Sequence, residues 1–437
     1  MADLKQLARQ IFHQTLAAID IPLSMQRKLP CKGSLLQCGD AAIDLSKFEN
    51  TCVVAMGKAA HTMVDGLKAS LLRDVPFSGI VSAPTPPLHP QPGLKYFTGG
   101  HPIPNEESWK AAEAILHMLA RCGEHTLVFF LLSGGGSALV EFPLDRRFNL
   151  SEVQQLHRAL VGCGAPIDAI NTVRKHFSAV KGGRLAAAAA RATKITLAVS
   201  DVPAGKESAL ASGPTLPDPS TLEDMHKVLR DYPLLDGLPV GFKRWIAENA
   251  VPETPKADAP AFSNSYFLLL LGLDDLFHPA HGAAEGLGFI TCCDNTTDDW
   301  PVERAAEYLL AQLAEMQACN PSRRVAIIAD GEVSSPVTGD GIGGRNSAFV
   351  LACVERIAGQ RIAVLSAGTD GMDGNSPAAG AVADGETLSR AIAAGLNARS
   401  TFERSDAYTF FQGLDDDVFT GPTGNNLRDL RILVAEP

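Results

Sequence analysis

Three consecutive glycines, Gly134-Gly135-Gly136, stand between an apolar run and the segment Ser137-Ala138-Leu139, with Ser133 just before them. Glycines in that setting leave backbone N–H groups free to converge on an anion, and a following helix adds its positive end. A tight turn feeding a helix has the same composition. The loop is not a Walker A loop, because no GxxxxGK[ST] occurs, nor a nucleophile elbow, because the closing glycine of GxSxG is missing. Lys58, in VVAMGKAA, directly follows another apolar run, where a lysine can reach a phosphate or carboxylate or simply stand in solvent. Arg174 and Lys181 lie seven apart in INTVRKHFSAVKGGRLA. Read as a helix from about residue 171, that segment puts both cations on one flank, either a solvated basic face or a cationic wall.

Acidic residues recur at the same kind of position. Ser200-Asp201 ends one apolar run, and an aspartate there can hold Mg²⁺, accept a proton or cap its own loop. Asp370 and Asp373 in SAGTDGMDG are further oxygen donors, with a structural turn as the alternative. Residues 339–344 formally match GxGxxG, yet Gly339 comes nine positions after Asp330, so the strand required just before the fingerprint is absent. Arg345, directly after two glycines, fits better as an anion clamp. His278 and His281 are three apart with a proline between them and have no third ligand, so they are read as non-metal residues.

The elements that must position these groups are legible as a repeating unit. Apolar β-rich runs at 51–60, 126–139, 195–205, 324–332 and 361–374 each end in a glycine or acidic turn. Such runs imply strands buried on both faces of a parallel sheet. Helical stretches at 109–121, 151–161, 171–191 and 302–318 support βαβ connectivity. The fold class is α/β. Residues 232–261 are rich in proline and weak in periodicity, so the expected domains are 1–235 and 236–437. Residues 85–92 read as a surface loop. Leu4, Leu7, Ile11, Leu16 and Ile19 mark an amphipathic N-terminal helix rather than a signal peptide.

Composition removes other classes. The chain has 437 residues, 46% apolar and 20% charged, with a formal charge of −11. That is ordinary globular composition without the basic field of a nucleic-acid binder. No run approaches the ~18 apolar residues of a membrane helix; LVFFLL (127–132) and FLLLLGL (267–273) are strand-sized. Nine scattered cysteines without a CxxC pair point to reduced cytosolic thiols. The expected setting is cytoplasmic, as a monomer or homodimer.

Taken in order, AMGKAA, GGHPIPNEES (99–108), LLSGGGSALVEFP (131–143), INTVRKHFSAVKGGRLA (170–186), SDVPAGKESALASGPT (200–215), GDGIGGRN (339–346), SAGTDGMDG (366–374) and GPTGNNLRDL (421–430) resemble the class II glycerate kinase family. Its C-terminal half is called the MOFRL domain. The resemblance implies a Rossmann-like N-terminal domain, a distinct α/β C-terminal domain and an active site in the cleft between them. It also implies ATP- and Mg²⁺-dependent phosphorylation of D-glycerate to 2-phosphoglycerate. The family's cleft lysine falls on Lys58 and its glycine-flanked arginine on Arg345. With Asp201 these form the expected catalytic set. Ser133, Gly134, Gly135, Gly136, Ser137, Arg174, Lys181 and Asn346 are the expected substrate or phosphate contacts, and Asp201, Asp370 and Glu332 the metal candidates.

Departures from the family pattern bear on the acids. The loop usually written SDVPGD continues here as Ala204-Gly205-Lys206 after Pro203, GRNQE becomes GRNSA with Ser347 and Ala348, and GGE becomes Asp330-Gly331-Glu332. Two rival functions follow. An NAD(P)H-linked hydroxypyruvate reductase would need a genuine dinucleotide fingerprint, and a non-catalytic metabolite-binding relative would draw on the altered SDVPAGKE and GRNSA segments.

Overall fold

All eight residues of Thr126–Ser133 are buried, as a strand covered by helices on both faces must be. The computed structural model describes residues 3–73, 75–202 and 205–437, and the chain forms two compact units: residues 21–272, and residues 1–20 with 273–437. Pro203 and Ala204 of the altered loop lie outside the described residues.

The unit of residues 21–272 is built on β1 (Asn50–Met56), β2 (Ser78–Ala83), β3 (Leu94–Thr98), β4 (Thr126–Ser133), β5 (Thr193–Val199) and β6 (Ser265–Leu271). Every pairing is parallel, in the order β3-β2-β1-β4-β5-β6. This is the Rossmann order, in which the direction of winding reverses between β1 and β4. Apolar residues of β1 and β4 form one core with Ala111, Ala112 and Ile115 of the helix Glu106–Leu119. A small antiparallel sheet of Cys31–Lys32, Leu35–Cys38 and Ala41–Asp44 precedes β1.

The expected boundary at 235/236 falls inside this unit. Leu234, Leu238, Phe242, Trp245 and Val251 bury themselves in a helical cluster with Phe148 and Phe177. Phe148 and Phe242 stack there with centroids 3.9 Å apart. The chain then supplies β6, which pairs with β5. Prolines interrupt the periodicity without ending the domain.

The second unit carries β7 (Phe289–Asp294), β8 (Arg324–Asp330), β9 (Ile362–Gly368), β10 (Gly380–Asp384), β11 (Asp417–Val418) and β12 (Asp429–Ala435), in the order β7-β8-β12-β9-β10-β11. Only β7 and β8 run parallel; the other pairings are antiparallel. The apolar run of β9 therefore misleads about direction, because burial on both faces gives the same composition either way. The N-terminal helix, Leu4–Ala18, belongs to this unit. Asp3 caps it by accepting from Lys5 N at 3.0 Å, and its buried face of Ala8, Ile11, Phe12 and Thr15 packs on β9 and β12. Among the described residues no helix is long and apolar enough to cross a membrane.

Candidate functional site

In an open parallel sheet, ligands lie beyond the carboxyl ends of the strands where the winding reverses. Here that point joins the ends of β1 and β4. Gly57 follows β1 with φ +125°, and a Cβ on it would lie 2.1 Å from Ser133 Oγ. Ser133 Oγ instead accepts from Ala59 N at 3.0 Å, and the Gly134 carbonyl accepts from Lys58 N at 3.0 Å. Ser133 is fully buried and acts as a tie between the strand ends, while Lys58 is exposed beyond them.

Gly135 (φ +84°) starts the short helix Gly136–Leu139, which has no side-chain cap, so its first N–H groups are left for solvent or an anion. A Cβ on Gly135 would lie 3.3 Å from His101 Cδ2, 3.5 Å from His101 Nε2 and 3.6 Å from Lys58 Cγ. The loop, the lysine and the histidine thus meet at one spot. Ser212 Oγ donates to Asn171 Oδ1 at 3.1 Å, so the 2.9 Å bond between Ser137 and Ser212 is donated by Ser137. Ala211 and Ser212 hold left-handed φ values of +49° and +60°, and Gly136 leaves room for Ala211, whose Cβ would be 2.9 Å from an added Cβ. Strain of this kind persists only where the surroundings enforce it.

The two cations of the 170–186 segment part company. The helix runs Ile167–Phe177 and stops there, because Ser178 turns extended and bridges to Pro143 while Ala179 N donates to the Phe142 carbonyl. In the helical stretch expected over 171–191, the helix read from about 171 to a stop at Gly182-Gly183 is therefore replaced by this helix, a connector and a short helix at Arg184–Ala188. Arg174 stays on the helix, half-buried, with a buried Nε that has no hydrogen-bond partner. Lys181 lies off it, 1% exposed, with its ammonium on Glu141. Glu141 also accepts from Ser178 Oγ at 2.6 Å and His157 Nε2 at 2.9 Å. Burial alone would raise the Glu141 carboxyl, but Lys181 and His157 hold it down at about 2. Lys181 is a buried partner of Glu141.

His101 carried no role in the sequence reading. Although part of its surface is exposed, desolvation and then the charges of Lys58 and Arg174 push the imidazole below its ordinary value. Asp201 is half-buried just past the end of β5, the strand beside β4.

In the second unit the glycines of 339–344 serve packing. A Cβ on Gly339 would lie 2.4 Å from the Arg404 carbonyl, on Gly341 2.5 Å from Asp406 Cβ, and on Gly344 2.3 Å from Asp373 Oδ1. Gly344 begins the helix Arg345–Ile357, whose N-terminus is already filled by the buried carboxylate of Asp373. That carboxylate accepts from Gly344 N (3.1 Å), Asn346 N (2.8 Å), Ser347 N (2.9 Å) and Ser347 Oγ (2.6 Å). An internal carboxyl group, its pKa raised by burial, thus occupies the place a dinucleotide pyrophosphate would take. Asn346 is buried too and accepts from Ser366 Oγ at 2.6 Å, tying the helix to β9.

Arg345 is held by two carboxylates: Nε and Nη2 reach Asp429 at 2.5 and 3.4 Å, and Nη1 reaches Glu332 at 2.7 Å. These partners raise its pKa against the opposing effect of burial, so it stays charged. Glu332 is therefore ion-paired with Arg345. Asp370 accepts from Met372 N at 3.0 Å within its own turn. Asp429, the first residue of β12, went unnoticed in the sequence because only the register of β12 with β9 brings it to this edge. Asp330, fully buried at the end of β8, has both carboxylate oxygens without a hydrogen-bond partner. Burial lifts it to about 6 against the pull of Arg428 and Arg431. Among the described residues no three His, Cys, Asp or Glu side chains come together as a metal cage.

Comparison with known proteins agrees with this architecture. The family model described as a domain of unknown function, DUF4147, matches residues 7–247, and the MOFRL family matches residues 325–429. The D-glycerate 2-kinase of Thermotoga maritima is 33% identical over 432 residues, 98% of each chain. An Agrobacterium vitis protein that carries the name of a hydroxypyruvate reductase is 32% identical over 436 residues, 98% of this chain and 94% of its own. The crystal structure of a Thermotoga maritima glycerate kinase superposes with a TM-score of 0.83 at 32% identity, covering 99% of both chains. With a Rossmann-ordered first sheet and a separate MOFRL-matched second sheet, the chain belongs to the class II glycerate kinase family and is a kinase.

Proposed function

We propose that this kinase transfers the γ-phosphoryl group of ATP to D-glycerate, giving 2-phosphoglycerate, in the presence of Mg²⁺. The observation that carries the reading is the meeting of Lys58, His101 and the Gly134–Ser137 loop at the point where the first sheet reverses its winding. Phosphoryl transfer asks a protein mainly for positioning and for charge opposite the phosphoryl oxygens. Lys58 supplies a cation there, and the N–H groups of Gly135, Gly136 and Ser137 supply a backbone cradle. Arg174, with its unpartnered Nε, is suited to the acceptor's carboxylate, which a guanidinium binds with two prongs. In the second unit Arg345, oriented by Asp429 and Glu332, is the cation proposed as an anion clamp.

The donor set fits a metal that arrives with the nucleotide. Mg²⁺ keeps several waters and takes one or two carboxylates plus substrate phosphates, so a cage of three acids is not needed. Asp201 is the protein oxygen proposed to complete that shell, where the ion would neutralise charge on the phosphates.

The test is release of ADP from ATP and D-glycerate, with the product identified by phosphorus NMR. Phosphorylation at the 3-hydroxyl would correct the product alone. Loss of absorbance at 340 nm with hydroxypyruvate and NADH, without ADP release, would replace the kinase reading with the reductase one. Neither signal would leave a binding protein.

A further inference from the structure

We propose that His101 is the general base of the transfer, taking the proton from the hydroxyl of the three-carbon acceptor acid as that oxygen attacks the γ-phosphorus. The assignment rests on the glycerate kinase reading above and adds a catalytic residue to it. As the step proceeds, a lone pair on the hydroxyl oxygen forms the new O–P bond. The bond from the γ-phosphorus to the bridging oxygen breaks, and its electron pair leaves with ADP. The hydroxyl proton passes to the imidazole, which later returns it to solvent.

Geometry comes first. His101 Cδ2 and Nε2 lie 3.3 and 3.5 Å from the point where a Cβ on Gly135 would stand, so that ring edge lies directly beside the loop. Lys58 Cγ approaches the same point to 3.6 Å. A hydroxyl held between the lysine-bound phosphate and the ring therefore has a nitrogen acceptor on one side and the phosphorus on the other. A general base needs that reach before its basicity matters.

Charge then sets the protonation state. The charged groups acting on the ring are Lys58, from the loop after β1, and Arg174, from the helix Ile167–Phe177. The glycine loop contributes backbone alone. Two buried acids lie by that helix: Asp218 is paired with its Lys175, and Glu141 is engaged by Lys181, His157 and Ser178. Two fixed cations and partial desolvation favour the neutral imidazole, the form that accepts a proton. A protonated ring there would be a third positive charge in the same small space.

The test compares wild type, H101Q and H101N from about pH 5 to pH 9, with kcat and KM for glycerate and a melting curve for each. The expected result is a 10²- to 10⁴-fold loss of kcat in both variants, a typical range for a lost acid–base group. KM should stay within a few-fold, and the acidic limb of the wild-type profile should vanish. In wild type, an NMR titration should show one histidine resonance, absent from H101Q, that titrates below the ordinary histidine range and tracks the acidic limb. Near-normal kcat with the acidic limb intact in H101Q overturns the assignment. So does a His101 resonance, assigned by its absence from whichever of H101Q and H101N folds, that titrates away from the limb. Wild-type enzyme that turns over no glycerate overturns the kinase reading and this base with it.

Discussion

Lys58 and Arg345 carry the same charge in contrasting settings, and the contrast sets what their removal should do. Lys58 is exposed past the end of β1, so Lys58→Ala should leave the melting temperature within a degree or two while lowering kcat by the ~2–4 kcal/mol of a well-placed electrostatic contact. Steady-state kinetics beside a thermal melt checks this, and unchanged kcat would return Lys58 to the role of a surface residue. Arg345 is clamped by Asp429 and Glu332, so Arg345→Lys should lower both kcat and melting temperature although charge is kept. One ammonium cannot reproduce contacts made from three nitrogens of a planar group. Measuring both quantities on one preparation separates the parts, and a stable, fully active Arg345→Lys enzyme would show the clamp to be dispensable. Glu141 poses a question of stability. Removing one member of a buried ion pair typically costs ~3–5 kcal/mol, so Glu141→Gln should shift the urea midpoint strongly at pH 7. Its folded carboxyl sits near 2, below the 4.5 of an ordinary glutamate. The pair's stabilisation is therefore complete above about 4.5 and is lost as the pH falls toward 2. Wild type should lose that increment across this window, and the variant should show no such loss.

At the scale of elements, the ends of β1 and β4 are fastened by one glycine. A Cβ on Gly57 would lie 2.1 Å from Ser133 Oγ and 2.5 Å from the Ser133 carbonyl, and φ there is +125°. Gly57→Ala should thus cost several kcal/mol through strain and the displaced β4 end, on the order of the larger single-residue effects. Chemical denaturation reads the loss, and a variant as stable as wild type would mean that the strand ends can separate freely. The glycine loop, Lys58 and the apolar strands were legible as a group because their composition encodes local geometry: burial on both faces, a turn, a cation after it. The helix read from about 171 to Gly182-Gly183 was not, because Ser178 and Ala179 give up helical bonds for a bridge to Pro143 and a bond to Phe142, partners about 36 residues distant. Lys181 moved with that error, from a ligand wall to a buried partner of Glu141.

For the whole molecule, the division of the chain yields the last prediction. A fragment of residues 21–272 contains all six strands of the Rossmann-ordered sheet and should unfold cooperatively on its own. A fragment of residues 1–235 lacks β6, exposes the edge of β5 and carries a helix that packs in the other unit, so it should aggregate or melt without a transition. Calorimetry and proton–nitrogen NMR spectra of both distinguish them, and a well-folded 1–235 fragment would restore the boundary at 235/236. The sequence alone determined the α/β class, the strand-end placement of Lys58, Asp201 and the glycine loop, and the family, since eight ordered motifs and apolar periodicity are local features. Tertiary structure decided the rest. Strand direction in the second sheet, the return of the N-terminal helix to that sheet, the sealing of Lys181 and Asn346, the filling of a helix N-terminus by Asp373 and the approach of His101 to Gly135 all depend on pairs distant in the chain. Burial and ion pairing belong to those pairs rather than to either residue, so no local pattern could carry them.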